Sequence, residues 1–293
     1  MVNAVKGIEW KKISKNDREI IIKTGENNEG IAMFGFTSLF LWKDYYNTHY
    51  SVINGNIVAR GFSDSGENVI YFPRGLEHDT KETVEQILDN VGSNVLFMPL
   101  TNKTAEAICE NFPNYKKEEL EGKCEYVYNQ QDLAYLEGKK YHAKRNHISK
   151  FNRLYDSEYI EINEENISIL RECAEHLFKK IENSPVQEYE AIKCAIDNFS
   201  ELELRACVIM VDGKYVAYSI GSMINEDTAD IHFEKADREY EGSYAFVNNS
   251  FAKYGFPDAK YINREEDLGI EGLRKAKLSY YPCRLNQMYK LGF

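Results

Sequence analysis

The sequence has no apolar run long enough to span a bilayer. Its longest mostly apolar stretch, residues 31–42, is broken by Gly35, Thr37 and Ser38. The opening MVNAVKGIEWKKISKND has no apolar signal core. The expectation is a cytoplasmic protein with no transmembrane segment. Its six cysteines, Cys109, Cys124, Cys173, Cys194, Cys207 and Cys283, show no CxxC spacing. That argues against a structural zinc site and for reduced, mostly buried thiols. His142 and His147 are not spaced as a helical zinc pair, and His49, His78, His176 and His232 stand alone along the chain. No metal is expected. Walker, GxSxG and dinucleotide motifs are missing too.

An excess of positive charge is also lacking. Lysine and arginine number 36 against 47 aspartates and glutamates, a net charge of -11. A cut at residue 130 leaves both halves acidic, which disfavours broad, non-specific nucleic-acid binding. Any site for an anion must be a local patch.

What is present supports folded cores. The 293 residues are 43% apolar and 13% aromatic, enough for two domains of ordinary size. The expected domains are 1–130 and 131–293. Positive charge is concentrated in one stretch, 131–154, which reads as a helix. Between 137 and 153 lie Lys139, Lys140, Lys144, Arg145, Lys150 and Arg153 against the single acid Glu137. Tyr141, Ile148 and Phe151 recur at helical spacing on another face. Gly138 is placed to interrupt the first turns. The stripe fits a phosphate-bearing small molecule or a nucleic-acid backbone. Its plain structural reading is a solvated face with basic stems lying over the core.

Residues 1–30 are polar, with room for one or two helices. The aromatic-rich segment 34–50 follows as core or pocket wall. Strands are expected at 50–53, 57–62 and 69–73, the first two joined by an Asn54-Gly55 hairpin turn. A helix from 79 or 80 to 91, a strand at 95–100, a helix to 111 and a strand at 123–129 complete the first half. In the second half, a strand at 159–162 precedes helices at 165–182 and 186–199. Three strands then follow, at 204–211, 215–224 and 228–234, with turns at Asp212-Gly213 and 225–227. A helix at 243–254, a strand at 260–263, a helix at 272–280 and a last strand at 284–291 close the chain. This is an α+β order. In the second half it is the order of the GNAT (acyl-CoA N-acyltransferase) fold, and the first half is a rougher copy.

Two stretches are candidates for chemistry. The turn HFEKADREYEGSYAF, 232–246, ends a strand and begins a helix. Free amides there suit a pyrophosphate, with Arg238, Gly242 and Ser243 as candidate binding residues. Only one glycine is present, flanked by Tyr240 and Tyr244, so an ordinary helix start explains the turn equally well. The second stretch is NREEDLGIEGLRKAKLSYYP, 263–282. Gly269 and Gly272 bracket a helix start, and Arg274 and Lys277 share a face. Arg264 precedes the acids Glu265, Glu266 and Asp267. A base beside phosphate-binding groups is what acyl transfer to an amine or hydroxyl requires. A solvated helix N-terminus with acids in its first turn is the structural alternative.

The segments DLxxLxGxxYxxKRNHIxxF, 132–151, and NREEDLGIEGLRKAKLSYYP resemble the paired signatures of the phosphatidylglycerol lysyltransferase C-terminal-like family. FTSLFLWKDYY, 36–46, fits it as well. The resemblance implies two tandem GNAT-like domains. It also implies kinship with lysylphosphatidylglycerol synthetases and Fem-type aminoacyltransferases, which move an amino acid from aminoacyl-tRNA to a lipid headgroup or a peptide amine. By that likeness Lys144, Arg145, Asn146 and His147 belong to the first motif. Arg264, Glu265, Asp267, Arg274 and Lys277 belong to the second. The membrane flippase region of the full-length lipid enzymes is not in this sequence.

The leading expectation is an acyl- or aminoacyltransferase using aminoacyl-tRNA or acyl-CoA as donor. Glu265, Asp267 or Glu234 is the candidate base and His147 a weaker one. Lys144, Arg145, Arg238, Gly242, Ser243, Arg264, Arg274 and Lys277 are the candidate carrier-binding residues, for small-molecule phosphates or the tRNA acceptor stem. The alternative is a non-catalytic protein that binds tRNA, a nucleotide or a cell-wall precursor on the same scaffold.

Overall fold

The computed structural model describes residues 7–23, 30–76, 78–92, 95–181 and 184–292. The chain forms two compact units, 1–124 with 286–293, and 125–285. In the stretch 1–30, expected to hold one or two helices, the described residues form β1 (Lys11–Lys12), a 3-10 turn and α1 (Arg18–Lys23). Residues 1–6 and 24–29 lie outside the described residues.

In the first unit α2 (Phe36–Trp42) precedes a meander of β2 (His49–Ile53), β3 (Asn56–Phe62) and β4 (Asn68–Tyr71). Asn54 and Gly55 turn β2 into β3 with φ of 49° and 81°, the left-handed pair that a tight hairpin needs. After α3 (Thr80–Val91) comes β5 (Leu96–Leu100), parallel to β4. α4 (Asn102–Asn111) is capped by Thr101, whose side chain accepts from the Thr104 amide. β6 (Lys116–Glu119) is an edge strand that the sequence did not announce, since all four residues are exposed and charged. Ile53, Val58, Ile70, Phe72, Val84, Ile87 and Phe97 form the core between sheet and helices.

The second unit opens with β7 (Glu125–Asn129) and α5 (Gln130–Tyr135). The single helix expected over 131–154 is two helices. Leu136 at φ 51° and Gly138 at φ 86° stop α5, and α6 (His142–Leu154) starts after a 3-10 turn. Phe151 is fully buried and stacks on Phe246 at 4.5 Å, anchoring the apolar side of α6. Burial of such a ring stabilises by about 2 kcal/mol. β8 (Ser157–Ile162), α7 (Ile167–Lys180) and α8 (Val186–Asp197) lead into β9 (Arg205–Val211), β10 (Lys214–Met223) and β11 (Thr228–Ala236). α9 (Ser243–Ser250) runs on into a π-helical turn, Phe251–Gly255. β12 (Tyr261–Glu266), α10 (Glu271–Leu278) and β13 (Arg284–Asn286) complete it, and β14 (Tyr289–Gly292) ends the chain.

The sheets share one plan. Their strand orders are β1-β2-β3-β4-β5-β14-β6 and β13-β7-β12-β11-β10-β9-β8. Each has an antiparallel meander, then one parallel partner: β4 with β5, and β11 with β12. Each also takes a strand beside that partner from elsewhere in the chain, β14 next to β5 and β7 next to β12. The expected tail strand at 284–291 is therefore two strands in different sheets. The contact boundary falls before β7 rather than after residue 130, and β14 completes the first unit.

Candidate active site

β11 and β12 pair only through Thr228↔Tyr261, Ala229↔Ile262 and Asp230↔Asn263. Past that point both strands continue without pairing to each other, and each bulges. Across β10, Ile220 opposes Phe233 and Gly221 opposes Ile231, which leaves His232 as the extra residue. Across β7, Asn263 opposes Val127 and Glu266 opposes Glu125, so Arg264 and Glu265 stand against Tyr126 alone. Glu265 takes φ 56° to make that step. Bulges re-aim side chains, and these two turn His232 and Glu265 toward each other. Gly221 permits the close approach, because a Cβ there would lie 2.3 Å from the Asp230 carbonyl oxygen.

Three titratable groups meet in this opening. His232 Nδ1 is 3.0 Å from Asp230 Oδ2 and 3.7 Å from Glu265 Oε1. Its Nε2 is 2.8 Å from Ser222 Oγ. Asp230 is 0% exposed, and its Oδ1 has no hydrogen-bond partner among the described residues. Burial works against a charge on His232, but the Asp230 and Glu265 carboxylates outweigh it and push the imidazole up to about 10. Burial, reinforced by the negative charge of Asp230, pushes Glu265 up to about 8.

Cations lie alongside. The Lys277 ammonium donates to three consecutive carbonyls, those of Arg264, Glu265 and Glu266. In a regular strand successive carbonyls point to opposite edges, so this convergence exists because the strand bulges. Arg264 pairs with Glu234 at 2.9 Å and lies over the rings of Tyr280 and Tyr128 at 5.1 and 5.8 Å. Its Nη1 is buried with no acceptor among the described residues. Lys144, from α6, reaches the same ring: its Nζ is 3.8 Å from the centre of Tyr280 and 2.6 Å from Ser279 Oγ. Burial, helped by the charge of Arg264, pulls Lys144 down to about 8, and the same two causes bring Lys277 to about 8. The basic helix and the second motif therefore converge on Tyr280.

The sequence matches the family described as phosphatidylglycerol lysyltransferase, C-terminal, over residues 29–291. The chain belongs to that family. A conserved protein of unknown function from Bacteroides thetaiotaomicron is similar over nearly its whole length, with 32% identity, 97% of this chain and 99% of that one covered, and a TM-score of 0.85. L-PGS from Bacillus licheniformis superposes with a TM-score of 0.65 at 15% identity, covering 96% and 92% of the two chains. FemX does so with 0.60 at 10% identity, covering 96% and 97%. These two likenesses speak for the fold, which is a tandem of GNAT-like α+β domains. An uncharacterized protein of Mycoplasmoides gallisepticum is 25% identical over 174 residues, 55% of this chain and 54% of that protein. The chain thus matches about half the length of that relative.

In this member of the lysyltransferase C-terminal family, most of the other candidate residues have local partners. Asp267 accepts from Tyr126 Oη at 2.6 Å, from Arg274 Nε at 2.7 Å and from the Gly269 amide at 2.8 Å. The Arg274 bond holds its carboxyl down at about 2, which makes it a poor base. Arg274 is correspondingly committed to Asp267. Glu234 is held by Arg264 and by Asn248. Arg145 donates to the carbonyls of Leu136 and Gly138, sealing the end of α5. His147 is exposed on α6, and Arg238 is exposed after β11. Gly242, at φ 91°, fits against the His147 carbonyl, where a Cβ would come within 2.5 Å. Ser243 Oγ donates to the Asp237 carbonyl, and its amide to that of Tyr240. The turn at 238–243 is thus built into the packing of α6 on α9.

The sequence reading did not select Ser222, Asp230, His232 or Tyr280 as site residues. A signal existed in TADIHFEKA, where Thr228, Asp230, His232 and Glu234 alternate with apolar residues in a strand central to its sheet. Isolated along the chain, His232 is not isolated in the fold. Among the described residues no helix is long and apolar enough to cross a membrane.

Proposed function

We propose that the chain is an aminoacyltransferase, moving an aminoacyl group from a phosphate-bearing carrier to an amine or hydroxyl. The observation that carries this reading is the meeting of Lys144 and Arg264 over Tyr280, beside the acceptor group of Asp230, His232 and Glu265. The cations suit the carrier's phosphates and the charge that develops on the carbonyl oxygen. Glu265 has the most open side chain of the three acceptors, 27% exposed, so it meets an incoming nucleophile first. The nucleophile forms a bond to the carbonyl carbon and the carbon–oxygen bond to the carrier breaks. Glu265 takes the proton from the nucleophile and passes it to the carrier oxygen, which leaves as a hydroxyl.

Aminoacyl-tRNA is favoured over acyl-CoA as donor. Gly242 and Ser243, which would cradle a pyrophosphate, are engaged within the unit. The family's description, a phosphatidylglycerol lysyltransferase, agrees with aminoacyl chemistry. The test is incubation with labelled aminoacyl-tRNA and, separately, labelled acetyl-CoA, each with a panel of amines and hydroxylated lipids. Transfer from tRNA alone is expected. Binding of tRNA without transfer to any acceptor would replace this reading with that of a non-catalytic binding protein, a role in keeping with the internal commitment of Arg274, Lys277 and Asp267.

A further inference from the structure

We propose that Asp230, His232 and Glu265 form a binding site for one divalent transition-metal ion, with zinc the best match. Their ligand atoms all lie within 4.8 Å of one another. Two ligands of a tetrahedral zinc ion, each about 2.1 Å from the metal, stand on the order of 3.4 Å apart. The contacts of His232 Nδ1 at 3.0 and 3.7 Å bracket that separation.

The need for a cation follows from what faces what. Two carboxylates and an imidazole nitrogen point at one another in a largely buried space. Asp230 is 0% exposed, its Oδ2 faces His232 Nδ1, and its Oδ1 has no hydrogen-bond partner among the described residues. The nearby cations are spent elsewhere, Arg264 on Glu234 and Lys277 on backbone carbonyls. A divalent ion, taking the place of protons on these groups, balances both carboxylates at once. Ser222 completes the arrangement. Its Oγ, 2.8 Å from Nε2, can accept the ring N–H and so leave the Nδ1 lone pair facing the carboxylates, as outer partners of ligating histidines do. One nitrogen and two oxygens suit zinc better than magnesium or calcium. The partial exposure of Glu265 gives the ion a way in and leaves room for a fourth ligand.

This inference stands on the acceptor geometry and does not depend on transferase activity. An ion bound at Glu265 would occupy the oxygen proposed to take a proton, so loading and transfer compete there. The test is calorimetric titration of the chelator-stripped full chain with zinc chloride, with manganese and magnesium chloride as comparators and thermal unfolding read in parallel. One zinc per chain, a melting temperature that rises with zinc concentration, and weaker manganese and magnesium binding are expected. His232→Ala and Asp230→Asn are expected to weaken zinc binding at least tenfold. Should either fail to fold, Glu265→Gln alters only the most open ligand and is expected to do the same. Cys283→Ser removes an exposed thiol and is expected to bind as the unaltered chain does. No saturable zinc binding, or unchanged binding in Glu265→Gln, or loss of binding in Cys283→Ser, would overturn the proposal.

Discussion

His232 Nδ1 stands 3.7 Å from Glu265 Oε1, and each residue belongs to a bulge in one of two parallel strands that have just stopped pairing. The bulges carry the meaning of this contact. Left regular, β11 and β12 would go on exchanging hydrogen bonds and their side chains would keep strict alternation. Two irregularities at matching distances beyond the last pair open the strands and fill the gap with titratable groups. Glu265 pays for this with a left-handed backbone, a conformation uncommon for a non-glycine residue.

Lys277 is what holds that backbone. It is 7% exposed, and its ammonium serves three carbonyls in a row. Lys277→Met keeps the stem and removes the ammonium that the carbonyls of Arg264, Glu265 and Glu266 share. A loss of about 3 kcal/mol in unfolding free energy is expected from urea denaturation. Lys277→Met should also lose transfer activity under conditions where it is still folded, because Glu265 is no longer aimed. A variant as stable as the unaltered chain would show that the bulge needs no such pin.

Glu265→Gln separates chemistry from architecture. Glutamine has the same shape and lacks the charge that burial and Asp230 disfavour. Stability is expected to stay within about 0.5 kcal/mol of the unaltered chain. The rate of aminoacyl transfer is expected to fall roughly a hundredfold, the usual scale for removing a general base. Single-turnover kinetics with charged tRNA measures it, and an unchanged rate would remove Glu265 from the reaction.

The meander β9–β11 was readable because its turns are chemical: Asp212 and Gly213 adopt the left-handed pair that the dipeptide prefers, at φ 50° and 73°. The convergence of the two motifs was readable in part, since Lys144 and Arg264 do meet at one ring. β6 was not, because Lys116–Glu119 is held by backbone bonds to β14 and carries no apolar alternation. The stop at Leu136 was missed for a related reason: a leucine in left-handed conformation is paid no heed by propensity. His232 escaped notice because its meaning lies in a bulge, and a bulge is set by the partner strands rather than by the residues that bulge.

Gly242→Ala tests whether the turn before α9 is packing or a phosphate cradle. The glycine has φ 91°, and a Cβ would lie 2.5 Å from the His147 carbonyl and 3.2 Å from Phe151 Cβ. Backbone strain and displacement of α6 both follow. A loss of about 2 kcal/mol or more in urea denaturation is expected. Affinity for acetyl-CoA, read by thermal shift, is expected to be negligible before and after the substitution. Tight acetyl-CoA binding that vanished in Gly242→Ala would restore the turn as a cofactor site.

The pH dependence of carrier binding should follow Lys144. Burial and the neighbouring Arg264 bring this lysine from 10.5 to about 8. The lowered value means that the ammonium is present below pH 8 and lost above it, well before an ordinary lysine would titrate. At pH 7 roughly nine-tenths of the molecules carry the charge, and at pH 9 roughly one-tenth do. A charged hydrogen bond to phosphate is worth on the order of 1.5 kcal/mol, so tRNA affinity is expected to fall roughly fivefold between those pH values at fixed ionic strength. Arginine does not titrate in this range, so Lys144→Arg should flatten the profile and keep the affinity seen at pH 7. Lys144→Met should bind weakly at both. Fluorescence titration of labelled tRNA at the two pH values measures all three. A pH step that persisted in Lys144→Arg would assign the titration to another group and take Lys144 out of the carrier site.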